Sequence, residues 1–379
     1  MFIKEINLKN FRNYDSLNLS VSPEINVIYG KNGYGKTNIL EAMFLCSIGK
    51  SFRTNHDIEM IKQGKDSFDV KVIIGDNMFS SVEIMYDSKK RKAVKVNGAY
   101  IDKLRHLMGC LNGIFFSPET LSLINDGPSE RRKFMDIAVS QISGDYFFAA
   151  SMYNKYVAEK TALISDKFSK TDDTTLEILN ENIAKYGSVI FAKRYGFMKN
   201  VSSFAAGFYK EISKNSENLS VKYTAQSQNV QKYFENANDI KQEEIEKLFL
   251  EELNSQKNIK REKEYGKCLI GPHRDDFLCI LDDFLLKSFG SQGQKRSGVV
   301  AIKLAELEIV KKASGKTPVL FLDDVLSELD RERKNKILEL TKNYQTFITC
   351  TDRDIAEELF RAKNINNNII NYINVENLR

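Results

Sequence analysis

The feature that most constrains the fold of this chain is a glycine-rich turn between a short apolar run and a helical pattern, in residues 25–42 (INVIYGKNGYGKTNILEA). Gly30, Gly35, Lys36 and Thr37 fit the spacing G-x-x-x-x-G-K-[ST], which is typical of phosphate loops. In such a loop backbone N–H groups surround the phosphates, the lysine reaches the β- and γ-phosphate oxygens, and the hydroxyl binds Mg²⁺. The stretch therefore predicts a strand, a phosphate loop and a helix whose N-terminus faces an anion.

The alternative interpretation of this stretch is a flexible turn that carries a lysine by chance. With 20 glycines in 379 residues, the four-position pattern arises by chance in roughly 1% of chains of this length, and fewer have the flanking strand and helix. We therefore predict a nucleotide site with Mg²⁺. Its predicted loop residues are Gly30, Lys31, Asn32, Gly33, Tyr34, Gly35, Lys36, Thr37 and Asn38.

Length and composition indicate an ordinary water-soluble protein of two lobes. A chain of 379 residues is longer than one hydrophobic core usually organises, and 42% of its residues are apolar and 28% charged. Lys4 and Glu5 interrupt the first apolar residues, and no apolar run approaches the ~20 residues of a membrane helix. We expect a cytoplasmic protein without a membrane partner. Five scattered cysteines and three histidines argue against a disulfide framework, a zinc site and multi-histidine metal chemistry.

Positive charge is concentrated locally, although the net charge of +5 is mild. Charge runs are usually solvated faces, so a nucleic-acid partner remains one of two interpretations on charge alone. Arg131 and Arg132 are the most informative basic pair, because they fall in the first turn of a helix that we predict to begin at Glu130 after an N-cap at Ser129. Either an anionic partner neutralises the positive charge of these two arginines, or they pair with carboxylates such as Glu119 and Asp136.

The pattern of apolar residues predicts the order of the elements. Two strands precede the phosphate-loop strand, three alternating runs between Phe68 and Val96 predict an antiparallel meander that Asn97-Gly98 closes, and residues 113–116 form another short strand. Residues 146–263 have helical periodicity, interrupted by a strand at 219–225. No heptad is sustained, so this part should be a compact helical lobe and not a coiled-coil arm.

Two motifs follow the helical region. Ser291 and Gly293 precede a helical pattern, so they should lie at a helix N-terminus suited to an anion. Residues 318–324 (PVLFLDD) form an apolar strand that ends in Asp323 and Asp324. In a phosphate-loop protein the Mg²⁺-organising carboxylate lies at the end of a strand beside the phosphate-loop strand. His273 with Asp275 and Asp276 could suggest a metal cluster, but adjacent aspartates on a strand alternate faces and make a poor cage.

Together these motifs resemble the RecF family of DNA replication and repair proteins, within the ABC-type ATPases that include SMC heads. The resemblance covers nearly the whole chain. It is carried by residues 10–14 (NFRNY), 30–42 (GKNGYGKTNILEA), 128–136 (PSERRKFMD), 271–277 (GPHRDDF), 289–297 (FGSQGQKRS) and 320–330 (LFLDDVLSELD). It implies an α/β fold: an ABC-type ATPase head with a mixed sheet around the phosphate loop, an antiparallel meander and an inserted, mainly helical second lobe. The implied division is lobe I at 1–118 and 306–379, with lobe II at 119–305.

The resemblance also implies roles for individual residues. Lys36 would bind the β- and γ-phosphates and assist catalysis, Thr37 and Asp323 would hold Mg²⁺, and Asp324 would polarise the attacking water. The segment around Ser291 looks like the ABC signature, which caps the γ-phosphate bound by the opposite subunit. The remaining implied cofactor contacts are Arg12, Gly293, Gln294 and Asp330.

A signature that cannot reach its own phosphate loop implies an ATP-dependent head-to-tail homodimer. The family resemblance further implies binding of double-stranded and single-stranded DNA at gaps and junctions, weak DNA-stimulated ATP hydrolysis that opens the dimer, RecO- and RecR-like partners, and loading of a RecA-like recombinase.

The chain departs from the broader ABC pattern in three places. Ser117-Pro118 stands where a glutamine is expected, Cys350-Thr351-Asp352 replaces the switch histidine, and Asp324 is one methylene shorter than the usual glutamate. The residue that senses the γ-phosphate within the subunit is therefore open, and we expect slow turnover. The alternatives are the nucleotide-binding subunit of an ABC transporter, which also has a phosphate loop and a signature, and a small-molecule kinase, which has no use for the signature.

Overall fold

The strands form three sheets, of which two are antiparallel and one is parallel. The computed structural model describes residues 1–54, 56–76, 78–165, 173–214, 217–237, 239–340, 342–361 and 369–378. The strands are β1 (Phe2–Phe11), β2 (Tyr14–Ser20), β3 (Ile25–Tyr29), β4 (Ser67–Gly75), β5 (Ser81–Asp87), β6 (Arg91–Val96), β7 (Ala99–Tyr100), β8 (Gly113–Phe116), β9 (Leu219–Thr224), β10 (Asp276–Leu281), β11 (Phe284–Leu285), β12 (Val319–Asp323), β13 (Thr346–Cys350) and β14 (Ile370–Asn374).

The helices of the described residues lie mostly in the middle of the chain. They are α1 (Lys36–Ile48), α2 (Pro118–Leu121), α3 (Pro128–Ile142), α4 (Gly144–Ser165), α5 (Asp173–Ser213), α6 (Gln228–Asn236), α7 (Gln242–Leu253), α8 (Gln256–Tyr265), α9 (Leu286–Phe289), α10 (Gln292–Ser314), α11 (Arg331–Leu340) and α12 (Arg353–Arg361). No helix in the described ranges combines the length and the apolar character needed to cross a membrane.

The antiparallel sheet has the order β2-β1-β4-β5-β6-β7 and contains the predicted meander. Strand β4 pairs with β5, and β5 with β6, in antiparallel register. Alternate residues of β4 are buried, because every second side chain of a strand points to the same face. Asn97 and Gly98 both have positive φ, at 53° and 81°, which is the backbone of the tight turn that an Asn-Gly pair favours. The meander and its closing turn are confirmed.

The phosphate-loop strand lies in a parallel sheet with the order β14-β3-β13-β12-β8. The sequence predicts that β12, which carries Asp323, lies beside β3. This prediction is wrong, because β13 lies between them and its Phe347 pairs with Asn26 on one side and Phe321 on the other. All three strands are buried apolar runs, and such runs do not encode which neighbour they take. Because the strands are parallel, the ends of β3 and β12 still meet at one edge.

The predicted helical lobe is confirmed, with one correction at its start. Helices α4 to α8 fill residues 144–265 where described, and β9 interrupts them and pairs with β10. The 41-residue helix α5 packs against α4 and α10 and does not project as an arm. Helix α3 begins at Pro128 with Gly127 as its N-cap, so the expected cap at Ser129 is wrong. Proline lacks an N–H and has a helical φ, which suits the first position of a helix.

Two groups of buried side chains form the core on opposite faces of the parallel sheet. Phe321 of β12 belongs to the group that contains α1 and the antiparallel sheet, while its neighbours Leu320 and Leu322 belong to the group that contains the helical lobe and α10. The fold class is confirmed as α/β with an antiparallel meander and an inserted helical lobe. The lobe boundaries at 118 and 305 stay predictions, and α10 runs unbroken through residue 305.

Candidate nucleotide-binding site

The phosphate loop has the predicted strand, turn and helix, since β3 ends at Tyr29 and α1 begins at Lys36. Gly30 has φ 140°, and a Cβ there would lie 2.7 Å from Val375 Cγ2. Gly35 is the N-cap of α1 at φ 98°, and a Cβ there would lie 2.5 Å from the Asn13 side chain. Both positions therefore exclude a side chain by backbone conformation and by space.

Lys36 is buried and its ammonium group lies inside the turn of the loop. Nζ donates to the carbonyl oxygens of Gly30 at 2.6 Å and Lys31 at 3.2 Å, and to Asn32 Oδ1 at 3.3 Å. These acceptors are neutral oxygens at the mouth of the loop. The lysine can exchange them for phosphate oxygens by a rotation of its flexible end, since an ammonium group carries three rotatable donors.

Thr37 and Asp323 meet across the sheet edge although they are 286 positions apart. The Thr37 hydroxyl donates to Asp323 Oδ1 at 3.0 Å, and the Thr349 hydroxyl donates to the same oxygen at 2.8 Å. Burial raises the pKa of the Asp323 carboxyl, and the two hydroxyl hydrogen bonds oppose that rise. A hydroxyl and a carboxylate oxygen are hard donors that suit Mg²⁺, which usually takes few protein ligands together with phosphate oxygens and waters. The residues present therefore fit a phosphate-bound Mg²⁺ ion.

Asp324 differs from its neighbour in conformation and exposure. Its φ of 50° is left-handed, its N–H donates to the Thr349 hydroxyl at 2.9 Å, and its side chain is exposed. Asp323 and Asp324 line a cavity of about 790 Å³ together with Thr37. Asp323 is thus buried beside two hydroxyls, whereas Asp324 is exposed at the cavity.

Glu119 lines this cavity, although the sequence indicated it only as a possible partner of Arg131 and Arg132. It lies in α2 directly after Ser117-Pro118, which stand where the broader ABC pattern has a glutamine, and its negative charge adds to burial in raising the pKa of the Asp323 carboxyl. The detectable signal was the end of β8, since the carboxyl ends of parallel strands share one edge.

Arg12 lies behind the loop and is paired with a carboxylate. Its Nε and Nη2 donate to the two carboxylate oxygens of buried Glu41 at 2.8 and 2.5 Å, and Nη1 donates to the carbonyl of Glu59 at 2.6 Å. The adjacent Asn13 donates to the Tyr34 carbonyl at 3.1 Å and accepts from Asn38 at 2.8 Å. Asn13 therefore contacts the loop, Arg12 is tied to α1 through Glu41, and a direct contact of Arg12 with a cofactor stays a prediction.

The signature residues form a second group at the start of α10. Ser291 is the N-cap, its side chain accepts from the N–H of Gln294 at 3.2 Å, and the Gln294 side chain accepts from the N–H of Ser291 at 2.7 Å. Arg333 donates to the Gly293 carbonyl at 2.5 Å and forms an ion pair with Asp330. Arg333, which the sequence did not indicate, thus joins two predicted site residues. None of these partners belongs to the phosphate loop.

Arg131 and Arg132 have different environments. Arg131 is buried and its Nε and Nη2 donate to both carboxylate oxygens of Asp276 at 2.6 and 2.8 Å. Arg132 donates to the carbonyl of Asp275 at 3.1 Å, and burial together with the nearby Arg194 lowers the pKa of its guanidinium. Local pairing therefore explains Arg131, but through Asp276 and not through Glu119 or Asp136.

We expect Arg131→Ala to lower the free energy of unfolding by about 3 kcal/mol, because the change leaves a half-buried carboxylate without its partner. Arg132→Ala is the matched control and should cost about 1 kcal/mol, the value of one hydrogen bond. Urea denaturation monitored by circular dichroism measures both. Equal losses in the two variants would show that the Arg131–Asp276 pair has no special structural role.

The site and its fold are similar to those of known proteins. The family model described as "RecF/RecN/SMC N terminal domain" matches residues 2–122. The DNA replication and repair protein RecF of Acetivibrio thermocellus is 40% identical over 381 residues, covering 99% of this chain and 98% of the relative. That of Alkaliphilus oremlandii is 39% identical over 361 residues, covering 95% and 96%. The chain belongs to the RecF family.

Solved structures of the family have the same fold. A structure described as the recombination mediator protein "RecF-ATPrS in RecFOR pathway" has a TM-score of 0.83 at 32% identity, covering 93% of each chain. A second, described as "RecF-ATP in RecFOR pathway", has a TM-score of 0.82 at 32% identity, covering 93% of this chain and 92% of the other. The resemblance to the RecF family and its ABC-type fold are thereby confirmed, and a transporter subunit or a small-molecule kinase is no longer favoured.

Proposed function

We propose that this chain is an ATP-dependent DNA-binding protein of recombinational repair and replication restart. Two copies close on DNA at gaps or junctions between single and double strands when ATP binds, and slow, DNA-stimulated hydrolysis opens them. RecO- and RecR-like partners act with it to load a RecA-like recombinase in the cytoplasm. Support comes from membership of the RecF family and from relatives whose structures are described with ATP and in the RecFOR pathway.

The single observation that carries the nucleotide part of the proposal is the 3.0 Å contact between Thr37 and Asp323. This contact brings a hydroxyl at the start of α1 and a carboxylate at the end of β12 together, next in the chain to the buried Lys36. The arrangement suits a nucleotide with Mg²⁺. Bound ATP would supply the phosphoryl group whose transfer to water opens the dimer.

In this proposal the residues of the chain divide the work. Lys36 leaves the carbonyls of the loop and binds the β- and γ-phosphate oxygens, while the N–H groups at the start of α1 bind phosphate oxygens beside it. Thr37 and Asp323 would hold the Mg²⁺ ion that accompanies the phosphates. Asp324, which lines the cavity, orients a water molecule and accepts its proton.

The second half of the site comes from another copy of the chain. Ser291 holds the N-terminus of α10, a helix of 23 residues whose positive end suits an anion. Gln294, Gly293 and Asp330 lie around it and stay predicted cofactor contacts. Head-to-tail pairing of two copies places this group against the phosphate loop of the partner, which produces two equal sites related by a two-fold axis.

The proposal predicts that ATP, and not ADP, makes the protein bind a gapped duplex. Fluorescence anisotropy of a labelled gapped duplex should show affinity at least tenfold higher with a slowly hydrolysed ATP analogue than with ADP. A blunt duplex and a single strand are the comparison ligands. DNA affinity that does not depend on the nucleotide would contradict the proposed function.

A further inference from the structure

Two aromatic side chains are exposed directly before the signature residues. Phe284 and Phe289 are 64% and 73% exposed, and Phe289 is the most exposed large apolar side chain in the described part of the chain. Their rings contact edge to face with centroids 6.1 Å apart. Leu285, 39% exposed, extends the surface. We call these three residues the aromatic patch, and exposed apolar clusters of this kind mark interaction surfaces.

The backbone holds the aromatic patch in a fixed position. Leu285 pairs with Ile280 of β10, and the buried Leu286 anchors the short helix α9. Gly290 N–H donates to the Leu286 carbonyl at 3.0 Å, and a Cβ on Gly290 would collide with Leu286. Because the backbone of the patch is already ordered, little conformational entropy is lost when a partner covers it, which favours tight association.

We propose that the aromatic patch packs against a second copy of this chain in the ATP-bound dimer, beside the partner's phosphate loop. The inference rests on the proposed function and adds a surface to it. Phe289 lies two residues before Ser291, which is at most about 7 Å along an extended backbone. A standard interface covers about 800 Å² per partner, a disc with a radius of about 16 Å. Any partner surface centred on Ser291 therefore covers Phe289.

The charges around the patch are of both signs, which suits the rim of a protein interface, because the exposed Lys287 of α9 lies between Leu285 and Phe289 and two carboxylates precede the patch. Asp282 and Asp283 directly precede Phe284 and both are exposed. Carboxylates at this position repel phosphates, and they attract a basic surface. Lys31 in the phosphate loop is exposed and offers such a charge on the opposite copy. An apolar centre with charges at the rim is the usual composition of a protein interface.

The test compares Phe284→Ser/Phe289→Ser with the control Tyr265→Ser. Tyr265 is 66% exposed at the end of α8, so the control removes an aromatic side chain of similar exposure elsewhere. Sedimentation velocity with a slowly hydrolysed ATP analogue measures the dimer dissociation constant. We expect the double variant to weaken the dimer at least 30-fold, as loss of central aromatic contacts does. The control and the affinity of the monomer for nucleotide should change less than twofold.

The outcomes separate this inference from the proposed function. If the wild-type protein does not dimerise with ATP, both fail. If it does and the double variant dimerises equally well, the inference alone is overturned and the composite site survives. If the double variant dimerises normally but loses affinity for gapped DNA, the patch is a DNA surface and the inference is again overturned.

Discussion

Ser291→Arg is expected to abolish ATP-dependent dimerisation while each monomer still binds ATP. In the proposed dimer the partner's γ-phosphate lies at the start of α10. An arginine side chain at position 291 is too long to share that space with the phosphate. ATP binding by the monomer should stay within twofold of wild type, because Lys36 and Thr37 lie in the other group of site residues. Light scattering with and without the ATP analogue measures the dimer directly.

Two variants control for simpler effects of this change. Ser291→Ala removes only the cap and should cost about 1 kcal/mol of stability, with part of the dimerisation retained. Ser129→Arg places an arginine at an exposed position in the first turn of α3, and its dimerisation should match wild type. A Ser291→Arg protein that dimerises normally with ATP would contradict the shared site.

Lys36→Met and Asp324→Asn should fail at different steps. In the proposed site Lys36 supplies charge-assisted hydrogen bonds to phosphate, so its loss should weaken ATP binding by roughly 10- to 100-fold. If Asp324 acts only on the attacking water, as we propose, Asp324→Asn should bind ATP within twofold of wild type and hydrolyse it at least about 100-fold more slowly. The closed dimer should accumulate in the aspartate variant alone.

Isothermal titration of an ATP analogue and phosphate release under single-turnover conditions separate the two steps. Asp323→Asn provides a comparison, because it removes a charge from the proposed metal position and should weaken the Mg²⁺ dependence of binding. Equal losses of ATP affinity in Lys36→Met and Asp324→Asn would contradict the division of roles between them.

Local patterns in the chain predict much of the fold. The loop at 30–37 has glycines where the backbone needs positive φ, and the Asn97-Gly98 turn follows from the same steric rule. Period-two and helical patterns locate the meander and the helical lobe. These features depend only on residues that are close together in the chain, so they can be predicted from the sequence.

Features that depend on distant residues are not predictable in this way. The insertion of β13 between β3 and β12 is not encoded by three similar apolar strands. The partner of Arg131 is Asp276, 145 positions away, although nearer carboxylates fit the sequence equally well. Arg333 and Glu119 lie at the two groups of site residues, yet each has the sequence context of an ordinary charged residue beside a helix start.

The most direct test of the shared site is ATP hydrolysis by a mixture of Ser291→Arg and Lys36→Met. Each variant alone lacks one half of every composite site, whereas a mixed dimer has one site with an intact phosphate loop and an intact signature. Half of the dimers are mixed if equal amounts pair at random, and all of them are mixed if neither variant pairs with itself, so about one quarter to one half of the wild-type rate should return. A mixture whose DNA-stimulated rate only equals the sum of the two separate rates would contradict the account.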